Sequence, residues 1–276
     1  MHQYNIGFIG GGNMARSLIG GLIADDRNPA TLWVSDTNDE QLLHLQQQFG
    51  VHTSHSNSEV VDSADILILA VKPQVMHSIT TELREVVQRK KPLVISIAAG
   101  IRIEDIDRWL GGNIAIVRAM PNTPALIQTG ATALHANPLV SAEQRNSAET
   151  ILRAVGLALW VNDEKMMDAV TALSGSGPAY FFLFIEALEE AARALGLPEQ
   201  TAHLLSLQTA FGATKMALES PEDCAILRKR VTSPGGTTEQ AIRAFEEGGL
   251  RQLVAKALTA AANRSEELAQ QLGAQQ

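Results

Sequence analysis

The sequence holds a single cysteine, Cys224, so it can close no internal disulfide, and a reducing compartment, the cytoplasm, is expected. No apolar run comes near the roughly 20 residues that span a bilayer. The opening Met-His-Gln-Tyr-Asn has no positive, cleavage-type leader, so no export is expected either. Cations are outnumbered, 22 Lys and Arg against 30 Asp and Glu, for a formal charge of -8, and no basic stripe is present to hold nucleic-acid phosphates. An anionic ligand must then be met locally, by backbone amides or a few chosen side chains. Spacings of the H-x-x-x-H or C-x-x-C kind are missing, as are carboxylate pairs with ligand spacing, so no metal is expected. None of the 7 histidines lies in a motif.

What is present fills one large domain or two ordinary ones: 276 residues, 45% of them apolar. Near the start, Ile6, Phe8 and Ile9 form a short apolar strand that runs straight into Gly10-Gly11-Gly12-Asn13-Met14-Ala15. That spacing, G-x-G-x-x-A, allows a tight turn, a close approach of backbone to a pyrophosphate, and close helix-to-strand packing at Ala15. A phosphate would rest on the exposed N–H groups of the following helix.

Leu32-Trp33-Val34 reads as a second strand and ends at Ser35-Asp36-Thr37-Asn38, where the adenosine ribose of a dinucleotide should lie. Asp36 either accepts from a free 2′-hydroxyl or caps the next helix. No Arg or Lys lies between Thr31 and His44, which leans toward NADH, although the hydroxyls of Ser35 and Thr37 offer a phosphate two donors. Further strands at Ile66 to Val71, Leu93 to Ile97 and Ile114 to Val117 alternate with helical patterns such as Asn38 to Phe49 and Val75 to Gln88. Alternation of this kind predicts a parallel, Rossmann-type sheet with right-handed crossovers.

Ligands bind outside the carboxyl ends of such strands. Ala70-Val71-Lys72-Pro73 closes one of them and Ser96-Ile97-Ala98-Ala99-Gly100 the next, both lean enough for a flat ring to approach. Lys72 either pairs with a cofactor oxygen or is a solvated lysine before a helix-starting proline.

After Val161 the strand signals stop, and six helical patterns follow: Asp168 to Leu173, Pro178 to Leu195, Glu199 to Leu218, Glu222 to Val231, Thr238 to Glu247 and Leu250 to Leu272. Domains are therefore expected at 1–162 and 163–276. Tyr180 to Ile185 are six consecutive apolar residues, so that helix has no polar face there. About 110 residues can hardly enclose it, and a homodimer with this helix inside an intersubunit bundle is expected. The loop Thr232-Ser233-Pro234-Gly235-Gly236-Thr237-Thr238-Glu239 runs into a helix that Thr237 or Thr238 can cap. Its free N–H groups make a small anion site suited to a carboxylate.

Five stretches taken together resemble the Δ1-pyrroline-5-carboxylate reductases, which make L-proline: IGFIGGGNMA at Ile6 to Ala15, AVKPQ at Ala70 to Gln74, AMPNTPA at Ala119 to Ala125, SGSGPAY at Ser174 to Tyr180 and TSPGGTT at Thr232 to Thr238. The resemblance covers essentially the whole chain. It implies an N-terminal dinucleotide domain, an all-α dimerising C-terminal domain, an active site between them, and assembly of dimers into a decamer. It implies a cofactor site of Gly10 to Met14, Ser35, Asn57, Ala70, Lys72, Ser96 and Ala98, to which the turn and strand ends add Asp36, Val71 and Pro73. It implies a substrate site of Glu164, Thr237 and Thr238 with the loop amides, and Ser233, Gly235 and Gly236 belong to that loop. The family uses NADPH and often accepts NADH, so the family pattern and Asp36 pull in opposite directions and the choice stays open. The family's usual proline before Leu227 is replaced by Asp223-Cys224-Ala225-Ile226, which changes a helix start on the outer side of the pocket.

A β-hydroxyacid dehydrogenase shares the two-domain plan but needs a lysine four residues past the glycine that opens the long interdomain helix. Here that position is Phe181, which moves no proton. A cyclic iminium carbon accepts hydride without leaving an oxyanion, so no catalytic histidine is required, and the Thr238 hydroxyl is expected to bond the ring nitrogen.

Overall fold

The computed structural model describes residues 4–274. Eight strands form one sheet: β1 (Ile6–Ile9), β2 (Leu32–Ser35), β3 (His52–Ser54), β4 (Ile66–Leu69), β5 (Leu93–Ser96), β6 (Ile116–Met120), β7 (Gly130–Ala136) and β8 (Gly156–Trp160). Their order is β3-β2-β1-β4-β5-β6-β7-β8, and the first six all run parallel. That is the strand order of the dinucleotide-binding fold, with its reversal point beside β1.

Both faces of the parallel part are covered, as its near-continuous apolar strands require. Ile6, Phe8, Ile66, Ile68, Leu93 and Ile95 belong to one core, which the helices Asn13–Ala24, Asp39–Phe49 and Ala142–Arg153 close with Leu18, Leu45 and Ile151. Their neighbours in the strands, Ile9, Leu67, Leu69 and Val94, turn to the other face. There they meet Val60, Leu83 and Ile106 of the helices Asn57–Ser63, Met76–Lys90 and Ile103–Trp109.

Two strands that the sequence pattern did not signal extend the parallel sheet at its far edge. β7 pairs antiparallel with β6, Arg118 standing opposite His135, and β8 then runs parallel to β7. The connection from β6 passes through a short 3₁₀ turn, Thr123–Ile127, with Gln128 at φ 58. It is too short for the helical crossover a parallel partner demands.

Contacts divide the chain into two compact units, one of residues up to Ser176 together with those from Ala260 onward, the other Gly177–Thr259. The sequence places the boundary at 162/163. The difference arises because the segment after β8 is tied into the first unit. Its Asp168 accepts a hydrogen bond from Ser265 Oγ (2.6 Å), and Asn122 Nδ2 donates to Ser174 O (3.0 Å) within the π-helical turn Thr171–Gly175.

The second unit holds the helices Gly177–Ala194, Glu199–Glu219, Cys224–Arg230 and Thr237–Glu247, and the first part of Leu250–Gly273. Gly196, at φ 95, closes the first of these, its N–H and that of Leu197 returning to Arg193 and Ala192. Among its described residues only Gly177 and Ala202 are buried. Phe181, Phe182 and Leu183 are 65%, 67% and 66% exposed. This helical unit has almost no core of its own and leaves a large apolar surface exposed, which is uncommon on monomers.

Candidate active site

The turn after β1 carries the first half of the site. Gly10 sits at φ 96, and a Cβ there would lie 2.8 Å from Ala70 O, so neither the backbone angle nor the space admits a side chain. Its N–H donates to Ser35 O (2.8 Å), and the Ala70 N–H donates to Ile9 O (2.8 Å), so the turn is stitched to the ends of β2 and β4. Gly12 caps the helix Asn13–Ala24 in extended conformation without any side-chain hydrogen bond, and a Cβ there would meet nothing within 4 Å. The helix start therefore offers uncapped N–H groups, including those of Asn13 and Met14, to open space. An anionic group fits it.

Asp36 lies at this turn but caps nothing. Its Oδ2 accepts from Gly11 N (2.8 Å) and its Oδ1 from Asn38 N (2.9 Å). The cap of the helix Asp39–Phe49 is Asn38, which accepts from Gln41 N (3.2 Å), so the alternative of Asp36 as helix cap is overturned. Gln41 in turn donates through Nε2 to Gly11 O. The two partners hold the Gly11 peptide from both ends, and the sequence reading missed Gln41 because its spacing from the glycines is set by the fold alone.

Ser35 is buried and its hydroxyl donates to Asn57 Oδ1 (2.7 Å), which joins two expected cofactor residues from β2 and the helix Asn57–Ser63. Ala70, Val71, Lys72 and Pro73 follow β4, with Lys72 exposed at the start of a 3₁₀ turn. Ser96 ends β5, fully buried, and its Oγ accepts from Ala98 N (3.4 Å). Strand order thus gathers Gly10 to Met14, Ser35, Asp36, Ala70 and Ser96 at the carboxyl ends of neighbouring strands.

Glu164 belongs to the first unit, just past β8. Its Oε1 accepts from Ile103 N (2.9 Å) and from Arg118 Nη1 (3.0 Å). It lines a cavity of about 430 Å³ together with Ile103, Glu104, Asp107, His135 and Asn137.

In the second unit, Ser233 to Thr238 form the expected glycine-rich loop. Two details depart from expectation. The helix Thr237–Glu247 is capped by Gly236, with no side-chain cap, so neither Thr237 nor Thr238 caps it. The N–H of Gly235, at φ 72, donates to Glu239 Oε2 (2.9 Å), and that of Gly236 to Ser233 O (3.0 Å). These two glycines give the loop its shape, and the first-turn amides of Thr237 and Thr238 are left without intrahelical partners. Glu239 escaped the sequence reading as an ordinary first-turn acid. The loop is preceded by the helix Cys224–Arg230, which Asp223 caps by accepting from Ile226 N (2.9 Å). Among the described residues no group of His, Cys, Asp and Glu has a geometry that could hold a metal ion, and no helix is long and apolar enough to cross a membrane.

Comparison with known proteins gives three consistent findings. Residues 164–268 match the family described as pyrroline-5-carboxylate reductase dimerisation, and residues 5–100 match NADP oxidoreductase coenzyme F420-dependent. A pyrroline-5-carboxylate reductase of Pseudomonas aeruginosa is 50% identical over 99% of this chain and 100% of its own. Among solved structures, a pyrroline-5-carboxylate reductase from Coxiella burnetii superposes with a TM-score of 0.93 at 50% identity, over 97% of this chain and 99% of its own. The pyrroline carboxylate reductase of Plasmodium falciparum, solved with NADP bound, reaches 0.86 at 29% identity, over 98% and 99%.

Proposed function

The chain belongs to the pyrroline-5-carboxylate reductase family and reduces Δ1-pyrroline-5-carboxylate to L-proline, the last step of proline biosynthesis, with hydride supplied by NADPH or NADH; we propose which of its residues do so. Gly10, Gly11, Gly12, Asn13 and Met14 hold the diphosphate, and Ser35, Asp36 and Asn57 hold the adenosine ribose. Ala70, Val71, Lys72, Pro73, Ser96 and Ala98 border the rest of the cofactor. The observation that carries this reading is the uncapped helix start at Gly12, open to solvent, at the reversal point of the strand order.

The Ser233 hydroxyl and the amides of Thr237 and Thr238 fix the substrate carboxylate on the loop that Gly235 and Gly236 shape. Thr238 Oγ1 bonds the ring nitrogen, which favours the protonated imine, and Glu164 is a further substrate-binding residue. The imine is basic and its reduction leaves a neutral amine, so orientation supplies most of the rate. Near-attack positioning is worth roughly 7–11 kcal/mol. No metal and no histidine takes part.

The functional domains are 1–162 and 163–276, and the chain works in the cytoplasm as a homodimer whose dimers assemble into a decamer. The exposed Phe181, Phe182 and Leu183 and the match to a dimerisation family support the dimer. The test is the rate of NADPH and NADH oxidation with pyrroline-5-carboxylate, repeated for Thr238→Ala. A loss of about 100-fold in kcat with the cofactor KM unchanged is expected. Unchanged turnover removes Thr238 from the mechanism.

A further inference from the structure

Arg118 is a charged side chain in the middle of β6, only 3% exposed, between the buried Val117 and Ala119. A guanidinium in such a place costs several kcal/mol unless a partner compensates it. Its ion-pair partner is Glu164, through Nη1 to Oε1 at 3.0 Å. The backbone N–H of Ile103 reaches the same oxygen at 2.9 Å. Two donors from two different elements, a central strand and the start of the helix Ile103–Trp109, therefore fix one oxygen and with it the rotation of the carboxylate. Oε2 makes no hydrogen bond among the described residues, and Glu164 borders the open cavity.

Resting on the reading that Glu164 meets the substrate, we propose that Arg118 is a positioning residue for the reduction: it holds Glu164 so that Oε2 is presented to the positive charge of the cyclic iminium. A charge-assisted bond from a buried donor suits this task, because it is strong and directional. The arrangement also spares the substrate the entropy of ordering a free glutamate, as supporting contacts do for functional groups generally. An ion pair serving stability alone would need neither the second donor on Oε1 nor a carboxylate that borders a cavity with one oxygen unbonded.

A double-mutant cycle separates the two roles. Arg118→Lys, Glu164→Gln and the two combined are compared by KM for pyrroline-5-carboxylate, kcat, KM for NADPH and melting temperature. We expect Arg118→Lys to lower kcat/KM for the imine about tenfold at unchanged KM for NADPH, and to cost less than about twofold once Glu164 is already Gln. Arg118→Met with Glu164→Gln removes both charges at once, so that neither is left buried and unpaired should the lysine variant lose its fold. It should match Glu164→Gln alone in kcat/KM. Additive effects, or a fall in melting temperature with unaltered imine kinetics, overturn the proposal for Arg118. Wild-type kinetics for Glu164→Gln overturn the underlying reading of Glu164, and the proposal with it.

Discussion

The carboxylate of Asp36 binds the N–H of Gly11 at 2.8 Å, so the acid at the end of β2 is part of the glycine turn and not only a neighbour of it. This ties two functions to one side chain. It orders the turn and, in the proposed cofactor site, places a negative charge where only NADPH would bring another. In Asp36→Asn the amide can accept from one N–H but not two, so KM should rise for both cofactors. Removal of the charge helps NADPH alone. The ratio of kcat/KM for NADPH over NADH should increase about tenfold, a change worth about 1.4 kcal/mol. Steady-state kinetics with both cofactors check it, and an unmoved ratio shows that Asp36 does not face the 2′ position.

Glu239 holds the proposed substrate loop by a bond from Gly235 N to Oε2 at 2.9 Å, a variation on the capping box in which the acid reaches past the cap residue. Such a bond contributes about 1 kcal/mol. Glu239→Ala should raise KM for pyrroline-5-carboxylate about fivefold with the NADPH KM unaltered, and Glu239→Gln should restore most of the loss. If Glu239→Ala lowered KM instead, the glutamate would be competing with the substrate carboxylate for the loop, not preparing it.

How far the sequence reached depended on whether a feature was written locally. The turn Gly10 to Met14 was legible because it needs bare backbone directly after an apolar strand, and β1, β2, β4 and β5 alternate with helices of clear period. β7 and β8 were not. Gly130-Ala131-Thr132-Ala133 and Gly156-Leu157-Ala158 have small residues and little β propensity, and their pairing is decided by the sheet edge they complete. Glu164 was reached only through the family resemblance, and Arg118 not at all. The two are 46 residues apart, and no spacing rule announces an ion pair that exists only once β6 and the segment after β8 are placed. Capping went astray where backbone geometry overrode residue type. Gly236 outcompeted two threonines, and Asn38 took the cap considered for Asp36.

The proposed homodimer places the exposed run Phe181-Phe182-Leu183 in its interface, which gives it a measurable weak point. Each large apolar side chain buried in an interface contributes about 2 kcal/mol, and a symmetric dimer counts it twice. Phe182→Glu should therefore weaken association by about 4 kcal/mol, roughly a thousandfold, and lower the melting temperature because the second unit loses its cover. Light scattering at micromolar concentration checks it. A Phe182→Glu protein with wild-type mass would mean that this side chain lies outside the interface.

The end of the last helix is fastened to the first unit by Arg108, whose Nη2 donates to Asp105 Oδ1 and to Gly273 O, both at 2.7 Å. A Cβ at Gly273 would lie 2.3 Å from Asp105 Oδ2, so the carboxylate sits directly against that backbone. Burial pushes the Asp105 carboxyl above its ordinary value, and the Arg108 bond only partly offsets this. A raised native pKa means that the fold binds the proton more tightly than the unfolded chain does. The cost is therefore absent below the ordinary value of 3.8 and grows as pH rises through the elevated native value. Asp105→Asn keeps an acceptor for Arg108 and carries no such cost. Its melting temperature relative to the parent should become more favourable as pH rises above 3.8 and level off once pH passes the elevated native value. A difference that stays flat or moves the opposite way would show that the Arg108 pair, and not burial, dominates at Asp105, and thermal melts of the two proteins across that range decide between them.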